Sequence, residues 1–118
     1  MNDKKFDLED RLIDFAVSII IFVENLPVSK SALHLGGQLL RSGTSPSLNY
    51  GEARSAESKN DFIHKMKVCL KELRESHNCL NIMHKAKIYK TEHEVLYLKQ
   101  ECNELISIFV KSIVTATR

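Results

Sequence analysis

Residues able to do chemistry gather in two places along the chain. The first is the stretch from Gln38 to Glu52. There Gln38, Arg41, Ser42, Ser45, Asn49 and Glu52 recur at steps of three and four. On a helix they form one polar stripe. A guanidinium, a carboxylate, two amides and two hydroxyls in such an array suit a hydrogen-bond network that fixes helix register or oligomer state. A ligand or RNA site is the next reading, and catalysis the last. Gln38 and Glu52 would lie about 21 Å apart along a straight helix, and Arg41 and Glu52 about 16 Å. Arg41 and Glu52 therefore need partners on other helices or on a neighbouring subunit. The second place is a basic array. His64, Lys67, Lys71, Arg74 and Lys85 share one side of a helix at about 100° per residue, and Lys87 follows in the next turn. Cations so placed suit phosphate contacts, although a charged outer face is commonly just a solvated one.

Other chemistries fare worse. His34, His64, His77, His84 and His93 include no pair three or four residues apart. His77 and Cys79 point to different faces of a helix, so no metal ligand set is predicted. No spacing marks an activated serine or cysteine nucleophile. Gly36-Gly37 lies inside a helical pattern, so it is not a phosphate-cradling loop. No cofactor is expected.

The positions of these side chains depend on the elements that carry them. A chain of 118 residues fits one domain spanning 1–118. It is 43% hydrophobic and 27% charged, which places it with globular proteins. Only four glycines and two prolines are present, so long helices with short links are predicted. Cys69, Cys79 and Cys102 cannot all pair within the chain, and no signal-type opening is present; a reduced, cytoplasmic setting follows. The near-apolar run Phe15–Val23 is too short to span a membrane. The net charge is +2, but residues 58–90 carry eight basic and three acidic side chains. Positive charge is thus concentrated in the third quarter of the chain.

Four helices are predicted, in an all-α, antiparallel up-and-down bundle. Residues 1–6 read as a frayed lead. The first helix runs from about Asp7 to Asn25, with Leu8, Leu12, Phe15, Ile19, Phe22 and Leu26 as its seam. Ile13, Ala16, Val17, Ile20, Ile21 and Val23 widen its apolar face beyond what one neighbour needs. It is either the central helix of the bundle or also lines a subunit interface. Ser29 or Ser31 caps the second helix. Thr44 or Ser45 before Pro46 looks like a fresh cap, so this helix is expected to kink or break near Ser42–Ser45. The third helix starts at Ser58–Asp61, which has capping-box spacing, and runs to about Met83. Its seam is Phe62, Met66, Cys69, Leu73, Ser76, Leu80 and Met83. A lysine-rich turn covers His84–Lys90. Thr91–Glu94 is a capping box for the fourth helix, whose seam is Val95, Leu98, Cys102, Leu105, Phe109 and Ile113.

The array Gln38-Leu-Leu-Arg41-Ser42-x-Thr44-Ser45-x-x-x-Asn49-x-x-Glu52-Ala53, followed by Lys59-x-Asp61-Phe62-Ile63 and by Lys71-Glu72-Leu-x-Glu75, resembles the four-helix-bundle proteins of the 23S ribosomal RNA intervening-sequence family. The likeness extends from about Phe6 to Lys111. Where this chain has Pro46, that family more often carries an apolar or small residue. The resemblance implies an antiparallel bundle that assembles as a ring-shaped homopentamer. That family is similar in turn to the accessory variability protein of diversity-generating retroelements, a basic pentamer acting with a reverse transcriptase and nucleic acid. It implies no catalytic residues.

The reading that follows is a non-enzymatic, ring-forming bundle. It binds RNA or DNA, or a nucleic-acid-processing protein, through Lys67, Lys71, Arg74, Lys85 and Lys87. The alternative is an adaptor that recruits a protein partner with no nucleic-acid contact.

Overall fold

Each predicted helix forms, and each forms for a local reason. A computed structural model describes residues 7–118; the predicted frayed lead at 1–6 lies outside the described residues. Helix α1 spans Leu8–Glu24, α2 Lys30–Arg54, α3 Lys59–Lys85 and α4 Glu92–Ala116. Asp7 caps α1 by accepting from Asp10 N, and Glu9 and Asp10 occupy the first turn, where carboxylates favour the positive end of the helix dipole. Ser29, not Ser31, caps α2 through Ala32 N at 3.0 Å. Ser58 caps α3 through Asp61 N at 3.0 Å. The reciprocal half of that box is displaced by one residue: Asp61 accepts from Glu57 N.

Two local readings need correction. Thr91 makes no cap bond to the backbone; its hydroxyl turns to the Glu94 carboxylate at 3.3 Å, so the second capping box does not form. Helix α2 does not break at Ser42–Ser45. It runs continuously with Pro46 inside it. An interior proline removes one helical donor and normally costs about 3 kcal/mol. Here tertiary packing overrides that cost, because Pro46 holds a buried position on the inner seam of α2. The Thr44 hydroxyl, read as a cap, instead bonds the Leu40 carbonyl at 2.8 Å.

Consecutive helices pack as neighbours and α1 also lies against α4, while the backbones of the diagonal pairs α1/α3 and α2/α4 stay apart and meet only through core side chains, as Tyr50 of α2 does edge-on with Phe109 of α4. This is an all-α four-helix bundle. The seams turn inward as their spacing requires. Leu12, Phe15, Ile19 and Phe22 of α1 meet Leu73, Leu80 and Met83 of α3 and Leu98, Leu105 and Phe109 of α4 in one core cluster. Each fully enclosed phenylalanine contributes about 2–3 kcal/mol relative to exposure. The contribution of α2 to this core is different, since its inner row includes Gly36, Gly43, Pro46 and Ala53. A Cβ at Gly43 would sit 2.8 Å from Ile19 Cγ1 and 2.9 Å from its Cγ2. Glycine there lets α1 approach α2 closely.

Candidate nucleic-acid interface

The seam of α3 faces the core, so the side chains on the opposite face stand in solvent. Lys67, Lys71, Arg74 and Lys85 are all exposed, as are His64 and Asn78 on the same face. Lys67 and Lys85 are about 27 Å apart along the axis. None of these cations makes a salt bridge with another described residue. The reason lies on the neighbouring helix. Helix α3 carries two carboxylates in its central part, Glu72 and Glu75, and both turn toward α2. There Arg41 Nη1 donates to Glu72 Oε1 at 2.7 Å, and Arg41 Nη2 bonds Glu75. These bonds, led by that of Glu75, raise the pKa of Arg41 further. With Glu72 and Glu75 held aside, the outer face of α3 keeps uncompensated positive charge.

Lys87 sits just beyond α3 with φ of 58°, in the left-handed region. Its N–H donates to the His84 carbonyl at 3.2 Å, and Ile88 N donates to the Met83 carbonyl at 2.8 Å. These are the two bonds of a Schellman motif, in which glycine is the usual residue. The turn leaves Lys87 exposed just beyond the end of the stripe. It is fastened to α4 by His84, whose Nε2 lies 2.9 Å from Glu92 Oε2 and whose Nδ1 lies 3.1 Å from Lys99 Nζ. Lysine donating to Nδ1 leaves the proton on Nε2, toward the carboxylate. The histidine counts and spacings in the sequence did not reveal this contact. Its partners lie in the next helix, and only the closing of the α3–α4 turn brings them together.

The polar stripe of α2 divides in a way its spacing does not show. Gln38 is exposed and makes no side-chain bond to a described residue. Arg41 reaches Glu72 and Glu75. The Ser42 and Ser76 hydroxyls lie 2.8 Å apart with both residues at 0% exposure, and the Glu72 carbonyl is 3.0 Å from Ser76 Oγ. Asn49 Nδ2 turns back on its own helix, to Ser45 O at 3.1 Å and Ser45 Oγ at 2.9 Å. Glu52 Oε1 accepts from Lys65 at 2.7 Å in an exposed pair. The stripe is thus not one network. It is a series of separate ties, and the cross-helix ones descend the α2–α3 contact in step and hold its register. An exposed tie contributes about 0–1 kcal/mol. Removing one partner of the enclosed hydroxyl pair costs about 1–3 kcal/mol.

Nucleophile and metal chemistry find little support in this geometry. Cys69, Cys79 and Cys102 are free and buried. Burial pushes the Cys69 and Cys102 thiols up to about 12, and their sulfurs donate to the Pro46 and Leu73 carbonyls at 3.5 and 3.2 Å. Such thiols are unreactive core groups. Among the described residues no three histidine, cysteine or carboxylate side chains gather where a metal would fit. No helix of the described residues is long and apolar enough to cross a membrane.

Comparison with known proteins agrees with this architecture. No curated protein matches the chain. Among solved structures, a protein of unknown function from the S23 ribosomal protein family of Bacteroides thetaiotaomicron superposes with a TM-score of 0.78 at 26% identity, covering 91% of this chain and 98% of that one. The family model described as 23S rRNA-intervening sequence protein matches residues 4–111. That match takes in all of α1, α2 and α3 and most of α4, and with the shared bundle it identifies the chain as a member of the 23S rRNA-intervening sequence protein family.

Proposed function

We propose that this protein is a non-enzymatic, self-associating bundle that binds nucleic acid, or a nucleic-acid-processing partner, in a reducing cytoplasm. Its contact surface is the outer face of α3. The observation that carries this reading is that Lys67, Lys71, Arg74 and Lys85 line one side of the molecule, with exposed Lys87 in the turn after them, and that no carboxylate among the described residues bridges them. Such a surface attracts phosphate backbones without reading base sequence. Its position supports self-association as well. Helix α3 is diagonal to α1, which carries Ile13, Val17, Ile20 and Ile21 in solvent. Copies joining through α1 leave the basic face free, and repetition by symmetry turns each stripe into part of a positive belt. A homopentameric ring, implied by the resemblance to the 23S ribosomal RNA intervening-sequence bundles, is the assembly we favour.

The test is binding of a fluorescent RNA hairpin and of a DNA duplex across a salt titration. Affinity is expected to fall steeply with salt, with the log–log slope becoming shallower by about 0.7–0.9 for each phosphate contact removed. Lys67→Glu with Lys71→Glu should weaken binding to both probes. Absence of binding at low salt, or binding indifferent to these reversals, would sink the phosphate mechanism. Nuclease-resistant capture of one protein in its place would favour the adaptor reading.

A further inference from the structure

The cations on the outer face of α3 are not evenly spaced. Lys67, Lys71 and Arg74 stand within about 10 Å of helix. The next cation on that face is Lys85, about 16 Å beyond Arg74, with exposed Lys87 in the turn after it. Asn78 stands in the gap. At about 100° per residue it falls within about 40° of Lys67, Arg74 and Lys85, so the four share one line along the helix. Asn78 is exposed and makes no side-chain bond with a described residue, whereas Asn81 on the same side is turned to His77 Nδ1 at 3.3 Å.

A split pattern suits two rows of phosphates better than one. A single strand carries evenly spaced charge and is held by a continuous basic groove with aromatic rings for its bases. No tyrosine stands in the gap: Tyr89 is half-buried beside His84, their rings 6.3 Å apart, and Tyr97 lines a cleft between α1 and α4 with Ser18 and Ile21. In a duplex the two strands rim a groove, on the order of 12 Å across in the major groove of B-DNA. A groove of that width fits between Arg74 and Lys85, and Asn78 then lies over it. The asparagine side chain is shorter than the lysines and the arginine on its line, so it reaches only what lies near the lip. The floor of the B-DNA major groove is about 8.5 Å down, and the minor groove, about 6 Å wide, is narrower than a helix. The minor groove of A-form RNA is wide and shallow and displays 2′-hydroxyls, which donate and accept as a carboxamide does.

We infer that the ligand of this face is double-stranded RNA, with α3 laid across its minor groove. Lys67, Lys71 and Arg74 take the phosphates of one strand and Lys85 those of the other. The Asn78 carboxamide bonds a 2′-hydroxyl between them. This inference rests on the nucleic-acid reading above and narrows it to one class of substrate. Recognition of this kind selects duplex shape and sugar and not base sequence, because the cations meet phosphates and the one amide meets a ribose.

The experiment is fluorescence anisotropy of the full chain at one moderate salt concentration, with a blunt RNA duplex, the DNA duplex of the same sequence and one RNA strand alone. The RNA duplex is expected to bind most tightly. Asn78→Ala, at an exposed position, should weaken the RNA duplex about three- to tenfold, the loss of one hydrogen bond. It should leave DNA-duplex binding and the salt slope unchanged, because an amide releases no counterion. Lys85→Glu with Lys87→Glu should weaken the RNA duplex more than the single strand. Equal affinity for duplex and single-stranded RNA would overturn the two-row arrangement. Equal affinity for the two duplexes, or an Asn78→Ala variant that binds the RNA duplex as wild type does or loses DNA binding equally, would overturn the groove contact. Each of these results leaves the phosphate mechanism standing. Absence of binding to all three probes would instead remove that mechanism, and this inference with it.

Discussion

Replacing Gly43 by alanine should destabilise the bundle, although alanine is the better helix former. The new Cβ would lie 2.8 and 2.9 Å from the two γ carbons of Ile19. Comfortable carbon–carbon contact is about 3.5–4.0 Å, so the overlap is most of an ångström. Ile19 has 0% exposure and is packed within the core cluster. Overpacking of this kind costs about 1–3 kcal/mol, against a propensity gain of about 1 kcal/mol. The net is a loss of up to about 2 kcal/mol. Gly51→Ala is the internal control, because a Cβ there meets nothing within 4 Å and only the propensity gain remains. The two single substitutions should therefore separate by about 2 kcal/mol, on the order of 8 °C in Tm for a chain of this size. Urea unfolding followed by circular dichroism reads the difference. Ile19→Ala removes the obstructing carbons and alone costs about 2–5 kcal/mol. Combined with Gly43→Ala it should cost less than the sum, with a coupling of about 1–2 kcal/mol. The close-approach argument is refuted if Gly43→Ala stabilises as Gly51→Ala does, or if the pair with Ile19→Ala is additive.

Two further outcomes are expected. Lys87→Gly should raise stability by about 1 kcal/mol, because it relieves a left-handed backbone at a Schellman position; the same change removes a proposed phosphate contact, so thermal midpoint and salt-dependent RNA binding should move in opposite directions. Burial, with Lys99 adding to it, lowers the pKa of His77 below its ordinary value near 6.5. The unfolded chain then takes up the proton first, so this group's contribution to stability is whole above about pH 6.5 and declines as pH falls through that value toward the lowered folded one. His77→Gln should flatten the pH dependence of urea midpoints in that window, and an unchanged profile would refute the assignment.

Much of the fold was legible because burial imposes a period. Heptad spacing identified Leu12, Phe15 and Ile19, and likewise Cys69, Leu73 and Leu80, as inward residues, and each is buried. The outward direction of Lys67, Lys71 and Arg74 follows from the same geometry, since a residue half a turn from the seam cannot reach the core. Local rules failed where tertiary contacts outweighed them. Pro46 and Thr44 carry a strong helix-start signal, yet packing against α3 keeps α2 continuous. Thr91 and Glu94 have capping-box spacing, yet their side chains bond each other.

The sequence by itself determined the number of helices, their seams and the face on which positive charge collects, because periodicity and charge are properties of residue order. Only the tertiary structure decided which partners Arg41, Ser42 and Glu52 take, since Glu72, Glu75, Ser76 and Lys65 become neighbours through the antiparallel register of α2 and α3. It also decided the roles of the glycines. Gly43 and Gly51 are the same residue on the same helix, but one is closed in by Ile19 and the other is open to solvent. That distinction depends on how near another helix passes, a distance that residue order does not contain.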